Sequence, residues 1–220
     1  MNWGIVQTLA ALLLVLLCGR DLTAQEYGSA ARVNDVEISL FRLERHFEDY
    51  LHEQRRSVAQ IRNPSVYKRL KREALEQLID KELLWQEAQN RAIAVDDAEV
   101  ARTRAAVAAG FSSPATFERR LQAAGFDEAA YTDYLRREIA ASRMLDQLVG
   151  TVTVSDEEVR RAYAANREHL QLSASGQPLS EEQGLALVRR VLLQQRDGEA
   201  RRAALDRLRA GARIEVLVPL

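Results

Sequence analysis

Cysteine is almost absent from this sequence of 220 residues: the only one, Cys18, lies in an apolar stretch near the N-terminus. The rest of the chain therefore offers no disulfide bond, no thiol nucleophile, no CxxC redox pair and no cysteine-ligated zinc. A folded domain built from it must be stabilised by its core alone, which is feasible at this length.

Proline and glycine are also few, with 4 prolines and 10 glycines in the chain. Between residues 65 and 218 the only prolines are Pro114 and Pro178. Because both residue types disfavour the interior of a helix, their scarcity predicts a mainly α-helical protein. A β-sandwich or a β-barrel would need more turn residues.

The chain carries almost no net charge. Its 31 basic and 32 acidic residues give a formal charge of -1. This balance gives no indication of a nucleic-acid partner, which would favour a basic face. With 47% hydrophobic and 29% charged residues, the composition is that of a globular chain with one domain or two small ones.

Motifs for nucleotide binding, metal binding and catalysis are missing. The sequence has no GxxxxGK[ST] phosphate loop, no HExxH pair among its three histidines and no GxSxG serine elbow. Most carboxylates lie in the first turns of predicted helices or beside arginines, which is typical of helix-surface charge rather than of a catalytic acid and base. We therefore expect no catalytic residues, no cofactor, no bound metal and no nucleotide.

An apolar stretch opens the chain. Residues 9 to 18 read LAALLLVLLC and hold no charged or amide side chain. The stretch is short for a transmembrane helix, which needs about 20 apolar residues, and has the proportions of a secretory signal. We predict a signal peptide over residues 1 to 24, and hence an exported protein. A retained inner-membrane tether is the alternative, whereas lipoprotein processing at Cys18 is disfavoured by the bulky Leu17 before it.

Apolar periodicity and capping residues predict the order of elements in the mature chain. Short alternating runs around Asn34 and Asp35 predict a β-hairpin. Apolar residues at helical spacing predict helices over residues 40 to 54 and about 65 to 91. Further helices are expected to begin where a capping side chain precedes the periodicity, at Asp96, Ser113, Asp127, Ser155 and Ser180.

The sequence Ala-Ala-Gly-Phe occurs twice, at residues 108 to 111 and 123 to 126. A glycine just past the last turn, followed by an apolar residue, is typical of a Schellman termination, because the left-handed position disfavours a Cβ. We predict that helices end in this way at both Gly110 and Gly125.

The C-terminal part is predicted to return to the start of the mature chain. Residues 171 to 179, QLSASGQPL, have the composition of a linker, and residues 180 to 220 then form a helix and a strand, with Gly198 as a candidate break in the helix. The hairpin is the only other strand pattern. We therefore predict that the two ends of the mature chain meet in one small β-sheet.

Four segments carry a resemblance to a known family. They are residues 31 to 39 (ARVNDVEIS), 74 to 84 (ALEQLIDKELL), 131 to 136 (YTDYLR) and 154 to 163 (VSDEEVRRAY). In this order they resemble the chaperone module of the SurA, PpiD and PrsA group of extracytoplasmic folding factors. Asp35 stands where that family usually has glycine.

The resemblance implies a mainly α-helical SurA-type chaperone domain over residues 25 to 170, completed by the helix and strand of residues 180 to 220. In that family a parvulin-type prolyl isomerase domain normally follows the segment that ends near Leu170. Here only some 40 residues follow the linker, so the isomerase domain is expected to be missing and the protein is expected not to be an enzyme.

The implied function is that of an ATP-independent periplasmic holdase that binds unfolded exported polypeptides, above all outer-membrane proteins. Two alternatives stay open: a divergent prolyl isomerase of the parvulin and SurA group, and an envelope assembly subunit with a single partner. A homo-oligomer is compatible with each of them.

Five aromatic residues are candidate client contacts, because a chaperone needs partly exposed apolar surface to hold unfolded chains. They are Phe111, Phe117, Phe126, Tyr131 and Tyr134. Each of them is alternatively a core residue, and the sequence does not separate the two roles.

Overall fold

The structure is a computed structural model that describes residues 28–167 and 179–219. Its elements confirm the mainly helical class with a small antiparallel sheet. In chain order they are β1 (Ser29–Val33), β2 (Val36–Ser39), α1 (Leu40–Glu53), a short 3-10 helix (Val58–Gln60), α2 (Pro64–Asn90), α3 (Asp97–Ala108), α4 (Pro114–Ala123), α5 (Glu128–Val149), α6 (Asp156–Asn166), α7 (Glu181–Ala210) and β3 (Ile214–Val216).

The chain divides into two compact units. The first contains the described residues up to Ile79 and from Arg213 onward, and the second contains Asp80–Ala212. The first unit holds the sheet and α1, and the second holds α3 to α7. Helix α2 contributes its first part to one unit and its remainder to the other.

The sheet of the first unit joins the two ends of the described chain, as the sequence predicts. Its strand order is β2-β1-β3, and both pairings are antiparallel. At the hairpin turn Asn34 has a φ of 54°, whereas Asp35 is not in the left-handed region. The side-chain oxygen of Asn34 accepts a hydrogen bond from the backbone N–H of Arg213 at 2.9 Å. Asn34 thus forms the turn and also attaches β3 to it.

The core of the first unit lies between this sheet, α1 and the first part of α2. Helix α1 begins at Ser39, whose side chain accepts from the N–H of Arg42. Phe47 is 1% exposed and packs edge-on against Tyr67, with ring centroids 5.2 Å apart. The large side chains buried in this unit are Val33, Ile38, Leu43, Phe47, Tyr50, Leu51, Leu70, Leu75, Leu78 and Ile79.

The second unit contains two apolar clusters. One joins Leu84 and Ala88 of α2 to Met144 of α5, with Leu205 and Leu208 of α7 packed against it. The other joins α3, α4 and the first half of α5 and holds the aromatic candidates. Helix α7 runs without interruption through Gly198, so the candidate break there is absent.

The two Ala-Ala-Gly-Phe segments end their helices differently. At Gly125 φ is +73°, and the N–H of Phe126 donates to Leu121 as a Schellman termination requires. Gly110 does not have a positive φ, and the N–H of Phe111 donates to Ala108, three residues back, instead of to Ala106, five residues back. The prediction is confirmed at Gly125 and wrong at Gly110, because the chain continues there in tight i→i−3 turns.

Some sequence predictions lie outside the described residues. These are the signal peptide over residues 1 to 24, residues 171 to 178 of the linker, and Leu170. Within residues 28–167 and 179–219, no helix is both long enough and apolar enough to cross a membrane.

Candidate functional site

The five aromatic candidates form one contiguous cluster in the second unit, called here the aromatic cluster. Phe111 contacts Phe117 at a centroid distance of 5.3 Å, and Phe117 contacts Tyr131 at 5.8 Å. Phe126 lies 5.4 Å from Tyr131 and 5.3 Å from Tyr134. These four pairs meet at tilted or edge-on angles that favour aromatic contacts, and Tyr131 and Tyr134 are stacked at 6.0 Å. Residues spread over 24 positions of sequence are thus brought to one place.

Local structure explains how each ring reaches the cluster. The side chain of Ser113 accepts from the N–H of Thr116 and so begins α4 one turn before Phe117. The Schellman termination at Gly125 folds Phe126 back toward the helices. Tyr131 and Tyr134 are three residues apart on α5 and therefore lie on the same face.

Burial divides the cluster into an inner and an outer part. Phe117 is 2% exposed and Tyr131 is 6% exposed, so these two rings belong to the core. The same burial raises the pKa of the Tyr131 hydroxyl, against a smaller lowering effect of Arg104. Phe111 and Phe126 are half-buried, and Tyr134 is 38% exposed. Only the outer three residues offer surface to a client.

A groove beside the aromatic cluster is a second feature, which the sequence analysis missed. It lies between α3, α4 and the start of α5 and has a volume of about 360 Å³. Its floor is apolar and is formed by Val100, Ala101, Ala105, Ala108, Pro114 and Phe117. The repeated alanines on one face of α3 were a visible signal, but a small-residue face indicates a groove only when the positions of the neighbouring helices are known.

Charged side chains line the rim of the groove. They are Asp97, Arg104, Glu118 and Glu128. Arg104 donates to Glu118 at 2.8 Å, and its guanidinium carbon lies 5.5 Å from the centroid of the Phe117 ring. The Nε–H of Arg104 is buried and has no acceptor in the described part of the chain. The groove therefore combines an apolar floor with a partly satisfied cation and three carboxylates.

Other large apolar side chains are exposed in the described residues of both units. They are Val36, Phe41, Val58, Val107, Val191, Val216 and Leu217. Single exposed apolar residues are ordinary on protein surfaces. Phe41 is 45% exposed in the first unit, which makes it a useful comparison for Tyr134.

The two histidines in the described residues, His46 and His52, belong to the first unit. His46 shares a hydrogen bond of 3.1 Å with the side-chain oxygen of Gln77, and His52 lies exposed near the end of α1. His169 lies outside the described residues. Among residues 28–167 and 179–219, no three His, Cys, Asp or Glu side chains are placed to hold a metal ion. The arrangement in the second unit suits non-covalent binding of apolar side chains.

Comparison with known proteins gives a family and a fold. A family model for the SurA-like N-terminal domain matches residues 2–145. The matched range includes the whole aromatic cluster and the groove. No curated protein matches the chain.

A solved structure of similar fold comes from the human pathogen Campylobacter jejuni, in work on the virulence factor PEB4 and the periplasmic protein Cj1289, two structurally related SurA-like chaperones. The TM-score is 0.51 at 10% sequence identity, over 87% of this chain and 100% of that chain. At this identity the likeness concerns the fold.

Proposed function

Because the chain belongs to the family of SurA-like N-terminal domains, we propose that it is a chaperone that binds unfolded exported polypeptides in the periplasm and limits their aggregation without ATP. The family match over residues 2–145 is the observation that carries this proposal. The apolar N-terminal stretch, with the proportions of a secretory signal, supports the location.

The outer part of the aromatic cluster supports the mode of binding. Phe111, Phe126 and Tyr134 present aromatic surface continuous with a buried core, so a client side chain can pack on them while the fold keeps its shape. Unfolded strands of outer-membrane barrels alternate apolar and polar residues and expose many such side chains. Outer-membrane proteins are therefore the client class that we propose.

The test is suppression of aggregation. An outer-membrane barrel protein, unfolded in urea, is diluted into buffer with the purified protein and without nucleotide, and light scattering is followed. We expect scattering to fall at near-stoichiometric ratios, because a holdase occupies one client per binding surface. Unchanged scattering with a protein that keeps a helical circular dichroism spectrum would contradict the proposal. Suppression of a single client among several unrelated ones would instead favour a subunit with one partner.

A matched pair of substitutions locates the binding surface. Tyr134→Ala removes the most exposed ring of the cluster and should weaken suppression, by roughly threefold in the concentration needed, since one exposed aromatic contact contributes about 0.5–1.5 kcal/mol. Phe41→Ala removes a ring of similar exposure in the first unit and should leave suppression unchanged. An equal loss in both variants would mean that clients do not prefer the aromatic cluster.

We further propose that the protein does not catalyse prolyl isomerisation in its clients, and a peptide isomerisation assay tests this. The rate of cis to trans conversion in a proline-containing peptide should equal the uncatalysed rate, which is tens of seconds or slower at 25 °C.

A further inference from the structure

The floor and the rim of the groove have different chemistry. The floor is formed by alanine, valine, proline and phenylalanine side chains, which attract an apolar group. The rim carries three carboxylates and one guanidinium, so its formal charge is negative. An occupant that complements the apolar floor and the negative rim has an apolar side chain with a positive charge close to it.

The ion pairs among the rim residues show which rim charge remains for an occupant. Arg104 is bound to Glu118 at 2.8 Å, and Asp97 is bound to Arg136 at 2.7 Å. The carboxylate of Glu128 is exposed and has no ion-pair partner within the described ranges. An anionic occupant would face the free Glu128 charge, whereas a cationic one would neutralise it.

The lining of the groove favours a segment of polypeptide over a small cation. A small cation has no apolar group to pack on the floor, whereas a polypeptide can place an apolar and a cationic side chain next to each other. A volume of about 360 Å³ lies at the small end of ligand sites, which suits one or two side chains rather than a folded partner.

We propose that the groove holds segments of unfolded client chains in which an apolar side chain stands next to a lysine or an arginine. This inference rests on the proposed chaperone function and adds a preference among client sequences. The apolar side chain packs on Pro114 and the α3 alanines. The cationic side chain lies against Glu128.

Three labelled peptides test the preference. They are dodecapeptides of serine and glycine that carry either leucine–lysine pairs, leucine–glutamate pairs or serine–lysine pairs, and their binding to the purified protein is measured by fluorescence anisotropy. We expect the leucine–lysine peptide to bind about threefold more tightly than the leucine–glutamate peptide, which loses an exposed charge pair, and about tenfold more tightly than the serine–lysine peptide, which loses the apolar contact. Equal binding of leucine–lysine and leucine–glutamate peptides overturns the charge argument, and no binding of any peptide overturns the proposal.

Matched variants assign the binding to the groove. Ala105 lines the groove and is exposed, whereas its neighbour Ala106 is exposed and does not line it. Ala105→Trp should therefore abolish binding of the leucine–lysine peptide, and Ala106→Trp should leave it unchanged, with the same helical spectrum in both. Glu128→Gln should reduce the preference for lysine over glutamate about threefold, as expected for one exposed charge pair. Full binding by Ala105→Trp overturns the assignment.

The aggregation assay separates this proposal from the proposed function. If the wild-type protein suppresses aggregation and Ala105→Trp does so equally for a client rich in leucine–lysine pairs, the chaperone function stands and the groove proposal fails. If the wild-type protein does not suppress aggregation, the function fails, and the peptide measurements still decide whether the groove binds.

Discussion

Gly184, near the start of α7, lies against the ring of Tyr163 on α6. A Cβ added at Gly184 would lie 2.4 Å from Cε2 of that ring, closer than real Cβ contacts. Gly184 is one of three residues of α7 that are buried, together with Val188 and Ala204. The absence of a side chain at this position therefore sets how closely α6 and α7 pack.

Two glycine substitutions in α7 should change stability in opposite directions. Gly184→Ala forces the Tyr163 ring to move, so we expect the free energy of unfolding of the second unit to fall by about 1–3 kcal/mol, the usual range for overpacking. Gly198 has nothing within 4 Å of an added Cβ. Gly198→Ala should therefore raise stability by about 0.5–1 kcal/mol through helix propensity alone.

Urea unfolding followed by the fluorescence of Trp85, which packs on the core of the second unit, measures both effects. A Tyr163→Ala change in the Gly184→Ala background provides the control, since it removes the ring that the new methyl group meets. Destabilisation of similar size by Ala at both glycines would show that helix packing against Tyr163 is not the cause.

At the scale of elements, α7 is attached to its neighbours by few buried side chains and by a row of ion pairs. Only three of its thirty residues are buried. Its arginines form ion pairs with three other helices: Arg189 and Arg196 with Asp156 and Glu158 of α6, Arg201 with Asp146 of α5, and Arg209 with Asp80 of α2. Each exposed pair contributes little, but a row of them along one helix makes its attachment sensitive to pH and salt.

Acid should loosen α7 before the rest of the second unit. The hydrogen bond from Arg189 lowers the pKa of Asp156 below its usual 3.8, and the backbone and hydroxyl of Ser155, with Arg196, lower the pKa of Glu158 below its usual 4.5. Because both pKa values are lower in the folded state than in the unfolded state, the two carboxylates contribute their full stabilisation above the unfolded-state pKa values. This stabilisation is lost as the pH falls below about 4.5 through the folded-state pKa values.

The double variant Arg189→Ala/Arg196→Ala should therefore show a weaker dependence of stability on pH between about pH 5 and pH 3 than the wild type. Arg190→Ala is the matched control, because Arg190 is exposed and makes no ion pair within the described residues. Trp85 fluorescence during urea unfolding is again the measurement, and added salt should reduce the difference between the double variant and the wild type. Identical pH profiles of stability for the double variant and the wild type would contradict this role of the ion pairs.

At the scale of the whole molecule, the first unit is assembled from both ends of the described chain. Asn34 and Arg213, 179 residues apart, exchange backbone and side-chain hydrogen bonds. Arg32 forms ion pairs with Glu37 on β2 at 2.9 Å and with Glu215 on β3 at 3.3 Å, one on each neighbouring strand. Strand β1 is thus the central strand of the sheet only when β3 is present.

Deletion of residues 213 to 220 should therefore expose β1. The N–H of Asn34 donates to the carbonyl of Arg213 at 2.7 Å. Without that acceptor its hydrogen exchange should accelerate at least about tenfold, as for an amide released by local opening. Deletion of residues 218 to 220 alone keeps β3 and should leave Asn34 protected. Unchanged protection after the longer deletion would contradict the role of β3.

The sequence predicted features that depend on a few neighbouring residues. The helix starts at Ser39, Ser155 and Ser180 are confirmed with their capping contacts, because a cap is a local hydrogen bond. The prediction of a Schellman termination at Gly110 was wrong because the same four-residue sequence can also end a helix with i→i−3 hydrogen bonds, as the bond from Phe111 to Ala108 does. The pairing of the two chain ends was predicted because only two strand patterns were present.

The candidate site was predicted only in part. The five aromatic residues were named from the sequence and do meet, but the division into buried Phe117 and Tyr131 and outer Tyr134 depends on how three helices pack. The groove was not foreseen for the same reason, since alanines on α3 and a phenylalanine on α4 become one surface only after folding.

Because β3 pairs with β1, the sheet can be completed only after β3 has been synthesised. A chain synthesised from its N-terminus presents β1 and β2 first, and one edge of β1 stays open until Ile214–Val216 has been made. An open edge is a template for pairing with other chains. A product that stops before residue 213 would keep that open edge, so we expect it to aggregate more readily than a chain that contains β3.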